Sequence, residues 1–161
     1  MGVTISGMTG AGSIRHNNRS FSAANVDRSR TEQNIVFCNA DLKQVYHMVF
    51  DEALAAYNAK KTKTRDKIPD YYEHIRQSKQ EKLFHEAIFQ IGNMSDCGCG
   101  TPDGERAAAA LKDFAESFAE RNPHLRVFNM VLHMDEATPH LHVDFIPVAT
   151  EQSRGLSTRY L

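Results

Sequence analysis

The chain has 161 residues, of which 41% are hydrophobic, and its formal net charge is -1 at pH 7. This length suits one domain with a sizeable core, and the hydrophobic content excludes a wholly disordered chain. The near-neutral balance argues against a protein that binds nucleic acid through bulk positive charge alone. No apolar run approaches the ~18 residues of a membrane span. Three cysteines without framework spacing favour a reducing, cytoplasmic location.

The predicted elements mix strands with helices along the chain. A polar segment at 14–23 indicates a short helix or an ordered loop. In chain order, the hydrophobic patterns predict a strand at 3–8, a strand at 35–38, a helix at 41–59, a helix beginning at Pro69, a strand at 83–91, a helix at 103–121 and strands at 125–134 and 140–148. Together they predict an α+β fold, with an antiparallel β-sheet of about five strands and helices packed mainly on one face.

The densest group of metal-capable side chains lies in the ten residues from His133 to His142, which contain three histidines and two carboxylates. Because side chains alternate along a strand, His133 is expected to face away from the core, and His140 and His142 to share one face. The expected core side of the first strand consists of Phe128, Met130, Leu132 and Met134. Antiparallel pairing then predicts three imidazoles converging on a divalent metal. Asp135 and Glu136 are candidates for a fourth ligand or for fixing a histidine tautomer.

A second polar cluster near the start of the chain is rich in arginine and asparagine and has few apolar residues. Such a mixture can bind phosphates, and a solvated polar loop is the alternative interpretation. The candidate contacts to DNA in this cluster are Arg15, Asn17, Arg28, Arg30 and Asn34.

Together the two clusters resemble the plasmid mobilisation/recombination relaxases of the Mob/Pre (MobV) type, within the nucleases that carry a histidine–hydrophobic–histidine signature. The family's metal motif, His-x-Asp-Glu-x-x-Pro-His-x-His, matches every fixed position from His133 to His142. Its first motif, His-Asn-x-Arg, matches His16 to Arg19. Its middle motif begins with Asn-Tyr, whereas Ile follows Asn34 here.

The resemblance covers nearly the whole chain, and residues 155–159 are similar to the segment that follows the metal strand in relatives. It implies that residues 1–161 are the catalytic domain at the N-terminus of a longer bacterial relaxase. Such an enzyme nicks one strand of plasmid DNA at a transfer origin, stays joined to the 5′ phosphate and later rejoins the strand. The implied partners are single-stranded or supercoiled plasmid DNA and, as a further candidate, a coupling protein. The oligomeric state is left open.

The resemblance also implies roles for individual residues. The implied ligands of Mn²⁺ or Mg²⁺ are His133, His140 and His142. Glu136 would support the metal site, His16 would be the nucleophile and Arg19 would contact a phosphate oxygen. Tyr71 and Tyr72, on a predicted helix, are the alternative nucleophiles; without that role, Tyr72 is expected in the core and Tyr71 on the surface.

Three other functions remain open at this point. His133-Met134-Asp135 fits part of the two-histidine-one-carboxylate site of a non-haem iron oxygenase. A non-catalytic single-strand DNA-binding module would bind an origin without cleaving it. A structural metal site in an interaction domain would lose its fold on chelation and have no affinity for DNA.

Overall fold

The framework of the protein is an antiparallel sheet of five strands in the order β1-β3-β5-β4-β2. The computed structural model describes residues 3–21 and 23–149, so residues 155–159 lie outside the described part. The strands are β1 (Ile5–Thr9), β2 (Ile35–Asn39), β3 (His85–Ile91), β4 (Leu125–His133) and β5 (His140–Pro147). The predicted α+β fold is thereby confirmed, and all five predicted strands are present with small differences at their ends.

Five of the six α-helices in the described part of the chain begin at a residue whose side chain caps the first turn, and the last one, at Phe118–Arg121, has no such cap. The helices are α1 (Ile14–Asn17), α2 (Leu42–Ala59), α3 (Tyr71–Gln77), α4 (Met94–Cys97), α5 (Pro102–Glu116) and α6 (Phe118–Arg121). The carboxylate of Asp41 accepts the backbone N–H of Gln44 at 2.9 Å and caps α2 as predicted. The next helix begins after its cap Asp70 and not at Pro69. The helix expected at 103–121 is divided at Ser117 into α5 and α6.

A bulge in β4 distributes the core over both faces of the sheet. The register between β4 and β5 shifts between Val127 and Asn129, so Phe128 joins a different core from Met130. On one face α5 and α6 pack against Met130 and Leu132 and their neighbours. The expected grouping of Phe128 with Met130 is wrong, because strict alternation does not predict a bulge.

The opposite face carries the three histidines of the metal motif, and we call it the histidine face. At one end of this face, α2 and α3 cover an apolar cluster that we call the aromatic core. Helices therefore pack on both faces of the sheet, and not mainly on one face as predicted. Its buried members are Val45, Tyr46, Phe50, Leu54, Tyr71, Ile75, Phe128 and Ile146. The histidines lie towards the other end of the same two strands. Among the described helices, none is long and apolar enough to cross a membrane.

Candidate metal centre

Three imidazoles meet where β4 ends and β5 begins. His133 pairs directly with His140 across the two strands, and Val131, two residues earlier in β4, pairs with His142. The ring centroids are 5.2 Å apart for His133 and His140, 4.6 Å for His133 and His142, and 5.0 Å for His140 and His142. Strand alternation and a short connection, residues 134–139, therefore bring the three predicted ligands together.

Each of these rings is held through one nitrogen by an oxygen that can only accept a hydrogen bond. The bonds join His133 Nε2 to the carbonyl of Asn17 (2.8 Å), His140 Nδ1 to the carbonyl of Thr138 (2.8 Å), and His142 Nδ1 to Oε1 of Glu86 (2.7 Å). In each case the bonded nitrogen must carry the hydrogen, so the other nitrogen has a free lone pair. This is how metal-ligating histidines are usually oriented in proteins.

The free nitrogens suit a cation. His133 Nδ1 and His142 Nε2 are buried and have no hydrogen-bond partner within residues 3–21 and 23–149. Ligand atoms of His133, His140 and Glu136 lie within 4.8 Å of one another, as do those of His16, His133 and His142. Burial lowers the pKa of His133 to about 3 and also lowers that of His140. Both rings are therefore neutral at pH 7, as metal ligands must be.

Two buried carboxylates behind the site escaped the sequence analysis. Glu86 and Asp144 pair in register across β3 and β5, and Asn17 Nδ2 donates to both, at 2.7 and 3.0 Å. Burial alone would raise the pKa of Glu86, but hydrogen bonds from His142, Gly12 and Asn17 lower it to about 2. Burial raises the pKa of Asp144 to about 6. The available signal was a single carboxylate in each strand, since Glu86 is the one acid of β3 and Asp144 the one acid of β5.

Asp135 anchors the connection between β4 and β5 and is not placed to bind a metal. Arg19 donates to both of its oxygens, at 2.9 and 2.5 Å, and Thr31 and Asn34 each donate to Oδ2 at 2.9 Å. These bonds outweigh the opposing effect of burial and hold the pKa of Asp135 well below its usual range. The two-histidine-one-carboxylate hypothesis fails at this residue, because both oxygens are already bound by protein donors.

The first motif folds against the metal motif through His16 and Arg19. The ring centroid of His16 lies 5.6 Å from that of His133 and 5.9 Å from that of His142. Arg19 adopts a left-handed backbone conformation (φ 54°), and its guanidinium donates to the carbonyl oxygen of His16 at 2.9 Å and to Glu136 Oε1 at 2.8 Å. Burial, followed by the nearby charge of Arg19, lowers the pKa of His16. The ring is therefore neutral at pH 7.

The five predicted DNA contacts divide into two groups. Asn17 is 1% exposed and binds protein carboxylates, so its amide does not face DNA. Asn34 accepts the N–H of Met134 at 2.7 Å, and Arg30 donates to the carbonyl oxygens of residues 134 and 136. Asn34 and Arg30 therefore hold the connection between β4 and β5. Arg15 and Arg28 are exposed.

The alternative nucleophiles belong to the aromatic core. Tyr71 is 3% exposed, with its ring 4.9 Å from that of Phe50, and Tyr72 is half-buried, 5.4 Å from the ring of Tyr46. The prediction that Tyr71 lies on the surface is therefore wrong, whereas Tyr72 packs against the edge of the aromatic core. Tyr71 and Ile75 are four residues apart and share the buried face of α3. Burial raises the pKa of Tyr71, which keeps its hydroxyl protonated.

Comparison with known proteins assigns the chain to a family. It is similar to a solved MobM relaxase domain (MOBV; Mob_Pre) bound to plasmid pMV158 oriT DNA and Mn (pH 5.5), with 21% identity over 93% of this chain and 72% of that chain, and a TM-score of 0.48. A second such structure, with a 3′-thiophosphate DNA at pH 6.8, has 19% identity, the same coverage and a TM-score of 0.45. No curated protein matches the sequence. The profile described as plasmid recombination enzyme (Mob_Pre) matches residues 16–161, which include both motifs, and the chain therefore belongs to this family.

Proposed function

We propose that the protein is a metal-dependent DNA relaxase. It nicks one strand of plasmid or mobile-element DNA at a transfer origin, becomes joined to the 5′ phosphate and later rejoins the strand, which starts conjugative mobilisation. The observation that carries this proposal is the meeting of the neutral His16 with the histidines of the metal motif, where ligand atoms of His16, His133 and His142 lie within 4.8 Å of one another, as do those of His133, His140 and Glu136. Membership of a family of plasmid recombination enzymes supports plasmid DNA as the substrate.

The metal would be held by the free nitrogens of three histidines, which are His133 Nδ1, His140 Nε2 and His142 Nε2. Glu136 Oε1 lies 3.8 Å from the first of these atoms and 3.9 Å from the second, and supports the same site. A bound Mn²⁺ or Mg²⁺ would polarise the scissile phosphate and neutralise the charge that develops on it. The family resemblance favours these two ions, although imidazole donors also suit Zn²⁺ and Fe²⁺.

His16 would be the nucleophile, because its neutral ring offers a lone pair beside the metal ligands. Attack by a ring nitrogen on phosphorus forms a P–N bond and breaks the bond from phosphorus to the 3′ oxygen, which leaves and takes up a proton. The released 3′ hydroxyl can later attack the same phosphorus and restore the phosphodiester, so religation needs no ATP. The guanidinium of Arg19 is bound by Asp135 and Glu136. Arg19 is therefore proposed to position His16 together with Glu136, and not to contact a phosphate as the resemblance implied. The exposed Arg15 and Arg28 are proposed to contact phosphates.

A labelled single strand that carries the cognate origin tests the proposal directly. With Mn²⁺ present we expect a covalent protein–DNA adduct on a denaturing gel. Excess EDTA and the substitution His140→Ala should each abolish it, because both remove the metal. The exposed His47, which pairs with Asp51 on α2, supplies the matched control, and His47→Ala should keep full activity.

Other outcomes would support the competing functions. Origin binding without an adduct would favour a non-catalytic binding module. Unfolding on chelation together with no DNA affinity would favour a structural metal site. Full activity in excess EDTA would exclude the metal from the reaction.

A further inference from the structure

The segment that carries His16 contacts the metal site in two ways. His16 lies beside the ring of His133, and the residue after it binds the nitrogen of the same ring that is not free. We call residues 10–19 the nucleophile segment. The carbonyl oxygen of Asn17 accepts the bond from His133 Nε2 that leaves the other nitrogen of this ring free. The side chain of the same Asn17 donates to Glu86 Oε1. One residue of the nucleophile segment thus reaches one metal ligand directly and another through a carboxylate.

Glu86 connects the nucleophile segment to His142. Its Oε1 accepts hydrogen bonds from His142 Nδ1 and Asn17 Nδ2, both at 2.7 Å, and its Oε2 accepts the backbone N–H of Gly12, also at 2.7 Å. The residue is only 5% exposed, so water does not replace these bonds. Any displacement of this carboxylate therefore disturbs the nucleophile segment and the orientation of His142 together.

We infer that Glu86 is a positioning residue that assembles the metal site and the nucleophile as one unit. It lies outside the three sequence motifs and contacts Nδ1 of His142, not the free Nε2 of that ring. This inference rests on the metal site of the proposed function. It adds that metal binding is coupled to the ordering of the nucleophile segment. By thermodynamic linkage, ordering of the nucleophile segment strengthens metal binding, and metal binding orders the segment by the same free energy.

Gly10 provides an independent way to displace Glu86. A Cβ atom added at Gly10 would overlap the carboxylate of Glu86. The carboxylate is the end of a flexible side chain, so it can move aside, but only by leaving its hydrogen-bond partners. Gly7, in the preceding strand β1, is the matched control, because a Cβ there meets only the ring of Phe89, at 3.2 Å.

Mn²⁺ affinity, measured by calorimetric titration of the folded variants, is the first test. Glu86→Ala should weaken binding about 10- to 100-fold, the usual effect of removing a partner that orients a ligand. Glu86→Gln should weaken it less, since an amide oxygen still accepts the bond from His142. Gly10→Ala should weaken binding although it removes no polar group, and Gly7→Ala should leave it unchanged.

Two further measurements separate positioning from a general loss of stability. In nitrogen-15 spectra of the metal-free protein, His142 should carry its hydrogen on Nδ1 in the wild type and lose this preference in Glu86→Ala. In hydrogen exchange, Mn²⁺ should slow the amides of the nucleophile segment in the wild type but not in Glu86→Ala. Should Glu86→Ala fail to fold, Glu86→Gln and Gly10→Ala carry the same comparison.

The outcomes distinguish this inference from the proposed function. Wild-type Mn²⁺ affinity in both Glu86→Gln and Gly10→Ala would overturn the inference, while an Mn²⁺-dependent adduct would leave the proposed function standing. A wild-type protein that binds neither Mn²⁺ nor another divalent cation would overturn both.

Discussion

The histidine face of the sheet carries two buried clusters, built on the same two strands, that differ in how their polar atoms are satisfied. At one end, His133, His140 and His142 each have one nitrogen bound by the protein and one that is free. At the other end, the aromatic core packs tyrosine and phenylalanine rings against each other. Tyr46 donates its hydroxyl to the carbonyl oxygen of Leu83 at 2.7 Å, as buried tyrosines usually do.

The difference shows that an unpartnered buried atom does not by itself indicate a reactive site. The hydroxyl of Tyr71 also has no hydrogen-bond partner in the described part of the chain. It lies among apolar side chains, and burial raises its pKa. In the histidine cluster, by contrast, ligand atoms of His133 lie within 4.8 Å of those of both His140 and His142, and the opposite nitrogen of each ring is anchored. The reactive cluster is therefore distinguished by the convergence of its imidazole rings and by the anchoring of one nitrogen in each ring, more than by burial.

The largest expected effect distinguishes His16, beside the three histidines, from Tyr71 and Tyr72 of the aromatic core as the nucleophile. His16→Ala should reduce adduct formation more than about 10³-fold, because removal of a nucleophile eliminates the covalent step. Tyr71→Phe and Tyr72→Phe should retain wild-type adduct formation, since neither hydroxyl lies in the histidine cluster. The measurement is the amount of covalent complex formed on a labelled origin strand with Mn²⁺.

The stability of the covalent adduct in acid also distinguishes a histidine nucleophile from a tyrosine nucleophile. A phosphoramidate to His16 should be lost in acid, whereas a phosphotyrosine should survive. The folded state of His16→Ala is checked by its thermal unfolding and its retained Mn²⁺ affinity. An acid-stable adduct, or an adduct formed by His16→Ala, would move the nucleophile out of the histidine cluster.

An intermediate effect concerns the pH dependence of the metal-free protein. The pKa of His133 falls from 6.5 to about 3 on folding. Below pH 6.5 the unfolded chain therefore binds a proton at this ring that the folded protein does not. Stability should decrease as the pH falls from 6.5 towards 3, by an amount on the order of a few kcal/mol. The raised pKa of Asp144 acts in the opposite direction between its usual value and about 6, and so reduces the net change.

Urea unfolding of EDTA-treated protein at a series of pH values measures this slope. His133→Gln should flatten it, because the amide does not titrate there but can still donate to Asn17. Tyr71→Phe should keep the wild-type slope in the acid range, because its raised pKa affects stability only when the solution is alkaline. Equal acid slopes in the wild type and His133→Gln would assign the acid sensitivity to other groups.

The two clusters also differ in how much of them the sequence predicts. Strand alternation and a short connection suffice to bring His133, His140 and His142 together, because these constraints are local. The resemblance placed His16 with them, which no local pattern does, since it is more than a hundred residues away. Glu86 was missed because its partner is set by the pairing of β3 with β5, which the sequence does not specify. Tyr71 was misplaced because Tyr71 and Tyr72 lie four and three residues before Ile75, and both spacings are compatible with one helix face.

The smallest expected effect compares two hydroxyls within the aromatic core. Tyr46→Phe removes the hydrogen bond to Leu83 and leaves its carbonyl oxygen unsatisfied, which should lower the free energy of unfolding by about 1 kcal/mol. Tyr71→Phe removes a buried hydroxyl that has no described partner, and should raise stability or leave it unchanged. Urea denaturation at pH 7 resolves the difference in sign, and adduct formation should be unaffected in both variants. A loss of stability in Tyr71→Phe equal to that in Tyr46→Phe would mean that the Tyr71 hydroxyl is bound, for instance by an internal water. The Tyr71 hydroxyl would then be satisfied, unlike His133 Nδ1 and His142 Nε2, and would no longer be an example of an unpartnered buried atom outside a reactive site.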